Sequence, residues 1–591
     1  MRKLPLPLAL AALALLAPGA SARDQIVTSS DGTPIATSFL PAAGLKAGQR
    51  APTVLMTHGW AGTRTRDENA GSSEDVGATG AGPLRKAGFN VLTWDSRGFG
   101  ESGGVVTVDY KETEGRDAVA LIDWLSRQPE ARLDKAGDPR VGMHGASYAG
   151  GIEWVTAALD PRVDAIAPAI SWHSLLTSLY REDTIKTGWS TLLYGAGFPA
   201  ANAQGGGLDP HITSAFTTGT TTGTLSAEDR AWFDSRGPGD ALVSRVRVPT
   251  LLLQGTADTL FTLSESMRNE AILRRNGVPH KLVWFCGGHG TCLIGTGPAG
   301  HLEKATVAWL RRHLAGDRSV GTGPAFEWLA DDAKWRSASS FPPRAGGPLT
   351  ARGPGTLVVN PGDAASGSPV AAAPAANAVN VPVPPPGSAT QVVGEPKVEL
   401  TYSGTGTARH VFAQIVDERR NVVLGNQVTP IPVTLDGQRH TVTRPLEAVA
   451  AAVAKGARYR LEVIGGSQVY GPVRSAAAIQ LSAVKLTLPT AVPDASGGLL
   501  PTSRRCLSRR RFEIRVKRGR GKARLRSAKV WVAGKRVKVR RRDGRLRAVV
   551  DLRGRRKQRV TVRIVARTRA GKTLRDKRVY KTCTAKRKQR R

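Results

Sequence analysis

Short apolar runs alternate with amphipathic stretches from about residue 25 to residue 316, and this alternation constrains the fold most. Helical patterns lie between several of the runs, for example at 117–126 and 263–275. Strands that alternate with helices are typical of a parallel sheet covered on both faces. We therefore predict an α/β domain over 23–320, with an insertion at about 171–236 that covers the sheet. The runs that predict buried strands are 53–57, 90–94, 140–144, 250–254 and 281–285.

The pattern changes after residue 320. Short strands at regular spacing predict a β-sandwich over 321–490, with one helix at 446–455 and an Ala- and Pro-rich loop at 362–387. We expect this sandwich to be jelly-roll-like. Residues 491–502 are predicted to be a linker. From 503 to 591 charged and apolar residues alternate with a period of two, which predicts a small basic all-β domain.

The positive charge is concentrated at the C-terminal end of the chain. The formal net charge is +38, and from Pro501 onward there are 39 Lys and Arg but only 4 Asp and Glu. An acidic partner is therefore expected for this basic domain alone, and anionic cell-envelope polymers are the natural candidates outside the cell. Nucleic acid is not expected, because the domain offers only Phe512, Trp531 and Tyr580 for base stacking. A charged domain without a partner is the alternative.

The N-terminal residues predict export. Arg2 and Lys3 precede an apolar run at 4–17, and Ala-Ser-Ala at 20–22 is a small-residue cleavage site, so 1–22 is predicted to be a signal peptide. The alternative is a membrane anchor. A helix of this run spans only ~21 Å of a ~30 Å hydrocarbon core, which favours the cleaved signal. We expect a secreted or cell-envelope protein without a transmembrane span.

Four cysteines fit an oxidising compartment. An even, small number in an exported chain predicts two disulfides, Cys286 with Cys292 and Cys506 with Cys583. The first pair also brackets His289 in a Cys-x2-His-x2-Cys pattern that offers three metal ligands. No fourth ligand is obvious, so the disulfide is favoured and no metal is expected.

The candidate nucleophile is Ser147, in the segment 145–150 (Gly-Ala-Ser-Tyr-Ala-Gly). This segment follows a predicted strand and precedes a helical stretch, which is the context of a nucleophile elbow. The turn is sharp, so its neighbours must be small, and they are. Ala149 departs from the strict G-x-S-x-G pattern, and a serine in such a turn is often only a helix cap.

A serine nucleophile needs a base, and the base needs an orienting carboxylate. Asp258 and His289 each follow a predicted strand, in the chain order Ser, Asp, His that this fold uses. We therefore predict a catalytic triad of Ser147, Asp258 and His289. The rivals Asp234, Asp240, His280 and His301 do not follow a strand.

An oxyanion hole requires two fixed donors. The backbone N–H of Tyr148 is one candidate. The turn after the first long strand (His-Gly-Trp-Ala-Gly at 58–62) supplies the other, and the N–H of Trp60 is the best choice. His58 is interpreted as a residue that shapes this turn.

These features resemble the X-Pro dipeptidyl-peptidase and cocaine-esterase (CocE/NonD-like) family of serine hydrolases. Residues 145–150 match its G-x-S-Y-x-G motif, and 95–103 (Asp-Ser-Arg-Gly-Phe-Gly-Glu-Ser-Gly) are similar to its D-x-R-G-x-G-x-S-x-G segment. The helical insertion that the resemblance implies before the Asp258 strand, and the all-β region after the catalytic domain with Glu-Trp at 327–328, also agree. The resemblance covers about 25–489.

The resemblance implies an α/β-hydrolase fold and hydrolysis of an ester or amide through an acyl-enzyme on Ser147, without a cofactor. Family members often supply one oxyanion donor from a tyrosine hydroxyl, and Trp60 stands at that place here. Peptidase and esterase activity both stay open. Asp95 and Arg97 are expected to hold loops by ion pairing. The alternative function is an inactive hydrolase-like protein that binds polyanions.

Overall fold

The computed structural model describes residues 21–203, 205–292, 294–494, 510–516, 524–553 and 559–582. The chain divides into two compact units, Met1–Leu499 and Leu500–Arg591, which are described separately below. The predicted signal peptide lies almost wholly outside the described residues, and so do Cys506 and Cys583.

A ten-stranded mixed sheet forms the centre of the first unit. Seven neighbouring strands are parallel, and the strands at both edges are antiparallel. In spatial order the strands are Arg23–Thr28, Pro34–Leu40, Asn90–Trp94, Thr53–Met56, Val141–Ala146, Val163–Ala169, Thr250–Gly255, His280–Phe285, Phe326–Leu329 and Trp335–Ala338. The central strands are buried along most of their length, as expected for a sheet covered on both faces.

Five helices belong to the crossover connections and flanks of this sheet: Ala81–Lys86, Glu114–Leu125, Tyr148–Leu159, Leu263–Arg275 and His301–His313. The prediction of a helix at 263–275 is confirmed. The last two strands of the sheet, 326–329 and 335–338, lie beyond the boundary at 320 that the sequence predicts. The sequence pattern places them in the β-sandwich, because short strands with turns are typical of both regions.

The insertion folds mainly as helices. Leu175–Leu179, Thr187–Asn202, Pro210–Thr222, Ala227–Asp234 and Gly239–Val243 are helical, and a short hairpin of Tyr180–Arg181 and Thr184–Ile185 lies among them. Their apolar residues join Tyr148 and Trp172 in one buried cluster. The insertion therefore packs against the segment that carries Ser147.

Antiparallel sheets form the remainder of the first unit. One contains Leu349–Val359, Ala477–Leu488, Lys397–Gly406 and His440–Pro445; a second contains Ala378–Val383, Tyr459–Ile464, His410–Asp417, Val422–Val423 and Thr429–Pro432; a third contains Val449–Val453, Thr390–Gly394 and Thr490–Ala491. Their inner faces share one apolar core. The jelly-roll connection stays a prediction.

Two local predictions in this region are wrong. Residues 446–455 do not form a helix, because Val449–Val453 pairs with Thr390–Gly394 and buries every second residue. Alanine-rich sequence favours a helix, but pairing and burial override that preference. The predicted loop at 362–387 contains the strand Ala378–Val383, whose valines are buried.

The second unit contains two antiparallel sheets. One is formed by Arg511–Arg515, Arg545–Asp551 and Val539–Arg542, and the other by Lys535–Val537, Leu525–Val532, Arg559–Thr568 and Thr573–Lys581. Both sheets contribute to a single apolar cluster that includes Ile514, Val530, Val550 and Ile564. The small β fold agrees with the period-two pattern. Within the described ranges, no helix is long and apolar enough to cross a membrane.

Candidate active site

Ser147 lies in the turn between the strand Val141–Ala146 and the helix Tyr148–Leu159. Its backbone has φ 60° and ψ −120°, a conformation that non-glycine residues rarely adopt. Such strain is typical of functional turns that the surrounding structure holds in place. The Ser147 N–H donates to the carbonyl of Ala169 at 2.9 Å, which fixes the turn against the neighbouring strand.

Close approach of the helix to the strand explains the small residues around Ser147. A Cβ added at Gly145 would lie 2.4 Å from the Cβ of Ala149, and one at Gly150 would lie 2.7 Å from the Ala169 oxygen. Both positions therefore require glycine. Position 149 holds an alanine, whose methyl group already fills the space beside Gly145.

His289 connects the serine to a carboxylate. Its Nε2 lies 2.7 Å from Ser147 Oγ, and its Nδ1 lies 2.7 Å from Asp258 Oδ2. The three residues that the sequence predicts thus form one continuous hydrogen-bonded chain, although they come from the ends of three different strands. The arrangement has the connectivity of a Ser-His-Asp triad.

Asp258 is completely buried, and both of its oxygens have donors. Oδ2 faces His289, while Oδ1 accepts the backbone N–H groups of Leu260 (3.0 Å) and Phe261 (2.9 Å). A buried carboxylate without such donors would be costly. The turn after the strand Thr250–Gly255 therefore holds the carboxylate in one orientation.

Three contacts position the loop that carries His289. Cys286 and Cys292 form a disulfide, as the sequence predicts, so their sulfurs are not available as metal ligands. The N–H of Gly288 donates to the Asp75 carbonyl at 2.8 Å. A Cβ at Gly288, whose φ is +106°, would lie 2.5 Å from the Cβ of Asp258, so the loop can approach the carboxylate only with glycine there.

Aromatic side chains surround the imidazole. The rings of Phe261 and Trp189 meet the His289 ring edge-on, with centroids 5.1 and 5.9 Å away. Trp189 belongs to the helical insertion, and its indole N–H donates to Thr259 Oγ1 at 3.1 Å. The insertion thus limits the room in which the His289 ring can turn.

Two residues that the sequence analysis missed support the turn after Asp258. Gln427, from the antiparallel sheets, donates its side-chain amide to the Asp258 carbonyl at 2.7 Å. Lys186, from the insertion, is buried and donates to the carbonyls of Thr259 (2.7 Å) and Leu260 (3.2 Å). Burial lowers the pKa of Lys186. No sequence motif marks either residue.

A buried ion pair joins the insertion to the antiparallel sheets near this turn. Arg181 Nη1 lies 2.6 Å from Glu447 Oε1, and Thr262 donates to Glu447 Oε2 at 2.7 Å. Burial opposes the charge of Glu447, but Arg181 and Lys186 hold its pKa below the ordinary value. Three parts of the first unit therefore meet behind Asp258.

The two residues that are predicted to supply oxyanion donors, Tyr148 and Trp60, line the same cleft as Ser147. Tyr148 opens its helix, so its backbone N–H belongs to the first turn, where no helical carbonyl is available to accept it. The ring of Trp60 meets the Tyr148 ring edge-on at 5.4 Å, and its indole N–H donates to the Leu193 carbonyl at 2.8 Å. The Trp60 indole N–H is thus already used, which leaves the backbone N–H as the candidate donor.

Other conspicuous histidines and charged residues have structural partners. His58 Nε2 accepts the Ser96 N–H at 3.0 Å, so its Nδ1 carries the proton that bonds the Gly59 carbonyl; burial lowers its pKa. Arg97 pairs with Asp117 and Asp31, each at 2.6 Å. Asp95 pairs with Arg64. The segment 95–103 therefore holds loops by ion pairing, as the sequence predicts.

The rival triad residues have different partners. His280 bonds Glu270 at 3.1 Å, and Asp240 lies 3.3 Å from His173. His301 lies 3.7 Å from Glu327. None of these contacts involves Ser147.

An apolar cleft opens at Ser147. It encloses about 810 Å³, including the part open to solvent. Most of its wall comes from the insertion: Leu175, Leu176, Leu179, Tyr180, Ile185, Ser190, Leu193, Tyr194, Ile212, Ala215, Phe216, Leu225 and Phe233; Trp60, Val108, Ser147, Tyr148 and Trp172 complete it. None of these side chains is charged.

Known structures of similar fold cover most of the chain. An α-amino acid ester hydrolase matches with a TM-score of 0.57 at 15% identity, covering 83% of this chain and 100% of its own. A CocE/NonD family hydrolase from Staphylococcus aureus gives 0.56 at 14% identity, covering 80% and 97%. An aminopeptidase from a Thaumarchaeota archaeon gives 0.59 at 14% identity, covering 83% and 99%. At these identities the comparison shows the shared fold.

A curated relative matches a shorter segment. An uncharacterized 31.7 kDa protein of Escherichia coli is 28% identical over 121 residues, which are 20% of this chain and 37% of the relative. Residues 31–291 match the model of the X-Pro dipeptidyl-peptidase (S15) family. That match confirms, over this part of the chain, the family resemblance that the motifs indicate.

Proposed function

We propose that the chain is an exported serine hydrolase that cleaves an ester or amide bond through an acyl-enzyme on Ser147. The observation that carries this proposal is the hydrogen-bonded chain from Ser147 through His289 to Asp258. A serine hydroxyl is a weak nucleophile at neutral pH, and an adjacent base oriented by a third group is the arrangement that activates it.

In the proposed reaction, Ser147 Oγ attacks the substrate carbonyl while His289 Nε2 takes its proton. The tetrahedral intermediate collapses, the carbon–oxygen or carbon–nitrogen bond breaks, and His289 returns the proton to the leaving group. A water molecule then attacks the acyl-enzyme with His289 again as base, and the acid is released. Asp258 orients the imidazole and stabilises its charged form throughout.

Negative charge develops on the carbonyl oxygen in both steps. The backbone N–H groups of Tyr148 and Trp60 are the proposed donors to it. Fixed donors in a site that excludes water are worth about 2.7–4 kcal/mol each to the transition state.

The apolar cleft supports an uncharged, apolar acyl group. No side chain in its wall carries a charge, so a free ammonium group would lose its hydration without gaining a carboxylate. We therefore propose esters of aliphatic or aromatic acids as better substrates than peptides with a free N-terminus. An N-terminally blocked peptide is compatible with the same cleft.

A substrate screen tests these proposals. p-Nitrophenyl esters of increasing acyl length would be compared with Xaa-Pro p-nitroanilides that carry free or acetylated amino termini. We expect hydrolysis of the longer esters, and higher kcat/KM for the acetylated than for the free peptides. Ser147→Ala should abolish turnover, whereas Ser190→Ala, which changes another serine of the cleft, should keep it. Equal loss in both variants would contradict the assignment.

We also propose that the protein acts outside the cell and that its basic unit binds an anionic polymer there. The support is the sequence: the predicted signal peptide at 1–22 and the charge of the C-terminal residues. N-terminal sequencing of the exported protein should start at Arg23. The second candidate function is an inactive hydrolase-like scaffold that only binds polyanions; it predicts polymer binding without ester turnover.

A further inference from the structure

One face of the second unit carries cations without carboxylates. In the strand Arg559–Thr568 the residues Val560, Val562 and Ile564 are buried, so the alternate residues point away from the core. The strand pairing places further residues on the same outer face. We call the exposed cations of this face the basic face: Lys529, Arg536, Arg559, Arg563, Arg567, Arg575, Lys577 and Lys581.

All four acidic residues of this unit pair elsewhere. Glu513 and Asp543 bind Arg547 at 2.9 and 2.8 Å, and Asp576 binds Arg578 at 2.9 Å. Asp551 pairs with Arg553 at 2.7 Å and with Arg511 at 3.7 Å. Within the described ranges, no carboxylate pairs with a member of the basic face.

The basic face holds like charges directly opposite each other. Arg559 stands across from Lys581, and Arg563 across from Lys577. Like charges at opposed positions of two strands destabilise a sheet. A bound anion would offset this repulsion. The face is therefore a candidate binding surface, and not only a charged surface in contact with water.

The shape and chemistry of the basic face favour an extended phosphate polymer. Five of its eight cations are arginines, whose planar forks bind phosphate oxygens in pairs. The Trp531 ring is covered by the guanidinium of Arg563, 5.0 Å from the ring centre, so it is not free to stack on a base. With the Trp531 ring covered, the remaining apolar side chains of the face, Val565 and Val579, are too short to anchor it in a bilayer.

We infer that the basic face binds a linear polymer of phosphodiesters, without using bases or a lipid surface. This inference rests on the proposal that the basic unit has an anionic partner, and it does not depend on hydrolysis by Ser147. The sheet is about 14 Å wide over its four strands, since neighbouring strands lie about 4.8 Å apart. An extended chain can therefore lie along it and contact several cations at once.

The test compares two variants of the full chain with the same loss of charge. Arg559→Gln, Arg563→Gln and Arg567→Gln together remove the central row of the basic face. Arg540→Gln, Arg542→Gln and Arg545→Gln together change the outer face of the other sheet, where Glu513 and Asp551 lie among the cations. Binding of fluorescent poly(glycerol phosphate) would be measured by anisotropy over a series of salt concentrations.

We expect the basic-face variant to bind at least tenfold more weakly at about 0.15 M salt, and its slope of log K against log salt to fall by about 2. The control variant should keep most of the affinity. Lys529→Gln, Arg575→Gln and Lys577→Gln together should reproduce the loss, and circular dichroism should show all three variants folded.

Five results would overturn the inference. Equal losses in the two charge-matched variants would assign binding to net charge rather than to this face. Equal or tighter binding of polygalacturonate would contradict the preference for phosphate. Tighter binding of phosphatidylglycerol vesicles, or of an oligothymidylate, would identify a lipid surface or a base-dependent ligand. If wild type bound none of these probes, the anionic-partner proposal would fail as well, whereas ester turnover in the same samples tests the hydrolase proposal separately.

Discussion

The site around Ser147 and the basic face of the second unit differ in how their polar side chains are partnered. Around Ser147, His289 and Asp258 the side chains bond to one another and to backbone groups, and the carboxylate is buried. On the basic face the cations are exposed and carry no paired carboxylate among the described residues. In the functions proposed above, the first arrangement supplies its reacting groups within one chain, while the second needs a ligand to neutralise its charge.

The largest effect in this comparison is expected from Asp258→Asn. An amide at this position removes the charge that stabilises the imidazolium, and it favours the wrong tautomer of His289. We expect kcat for a p-nitrophenyl ester to fall about 10⁴-fold. Asp240→Asn is the matched control, because this rival aspartate is exposed and lies beside His173; it should change kcat less than twofold. A small effect of Asp258→Asn would remove the carboxylate from the mechanism.

The next largest loss of kcat is expected from removal of the disulfide between Cys286 and Cys292. Replacing Cys286 and Cys292 together by serine frees one of the three restraints on the His289 loop. Small misplacement of a catalytic group can cost about 100-fold in rate, and we expect a loss of 10- to 100-fold in kcat with little change in KM. The same variant should no longer respond to dithiothreitol. Unchanged turnover in the variant would show that the remaining contacts of Gly288 hold the loop alone.

Gln427→Ala tests the support from the antiparallel sheets. It leaves the buried Asp258 carbonyl without its amide donor, which costs about 1–3 kcal/mol of stability. We expect a lower melting temperature for the first unit and a kcat loss of about tenfold or less. Gln438→Ala, at an exposed turn of the same sheets, should change neither quantity. Equal melting temperatures for the two variants would contradict the role given to Gln427.

The smallest expected effect is a gain of stability, whereas the preceding variants are expected to lose activity or stability. Lys577→Gln relieves the repulsion with Arg563 across the strand pair, so we expect the second unit to become more stable by about 0.2–1 kcal/mol at low salt. Salt should reduce this gain. Arg547→Gln, which breaks the pairs with Glu513 and Asp543, should not stabilise the unit. Denaturation at two salt concentrations measures the free energy of unfolding of both variants. A loss of stability for Lys577→Gln would contradict the proposed repulsion between Lys577 and Arg563.

The sequence was informative where a residue's role follows from local position. Ser147, Asp258 and His289 each follow an apolar strand, and parallel strands bring their carboxyl ends to one edge. The strand Val163–Ala169 was missed because Asp164 and Pro168 interrupt its apolar run. Gln427 and Lys186 could not be found, since their contacts with the Asp258 turn join segments about 170 and 70 residues apart. The prediction of a helix at 446–455 is wrong, because pairing with a strand distant in sequence decides the conformation of these residues.

The most direct test of the central claim is covalent labelling of Ser147. A fluorophosphonate reacts with a serine that an adjacent base activates, and it forms a stable adduct on that oxygen. We predict that wild type is labelled, that the labelled peptide contains Ser147, and that Ser147→Ala is not labelled while Ser190→Ala is. An unlabelled wild type, or a label on another residue, would contradict the serine hydrolase account.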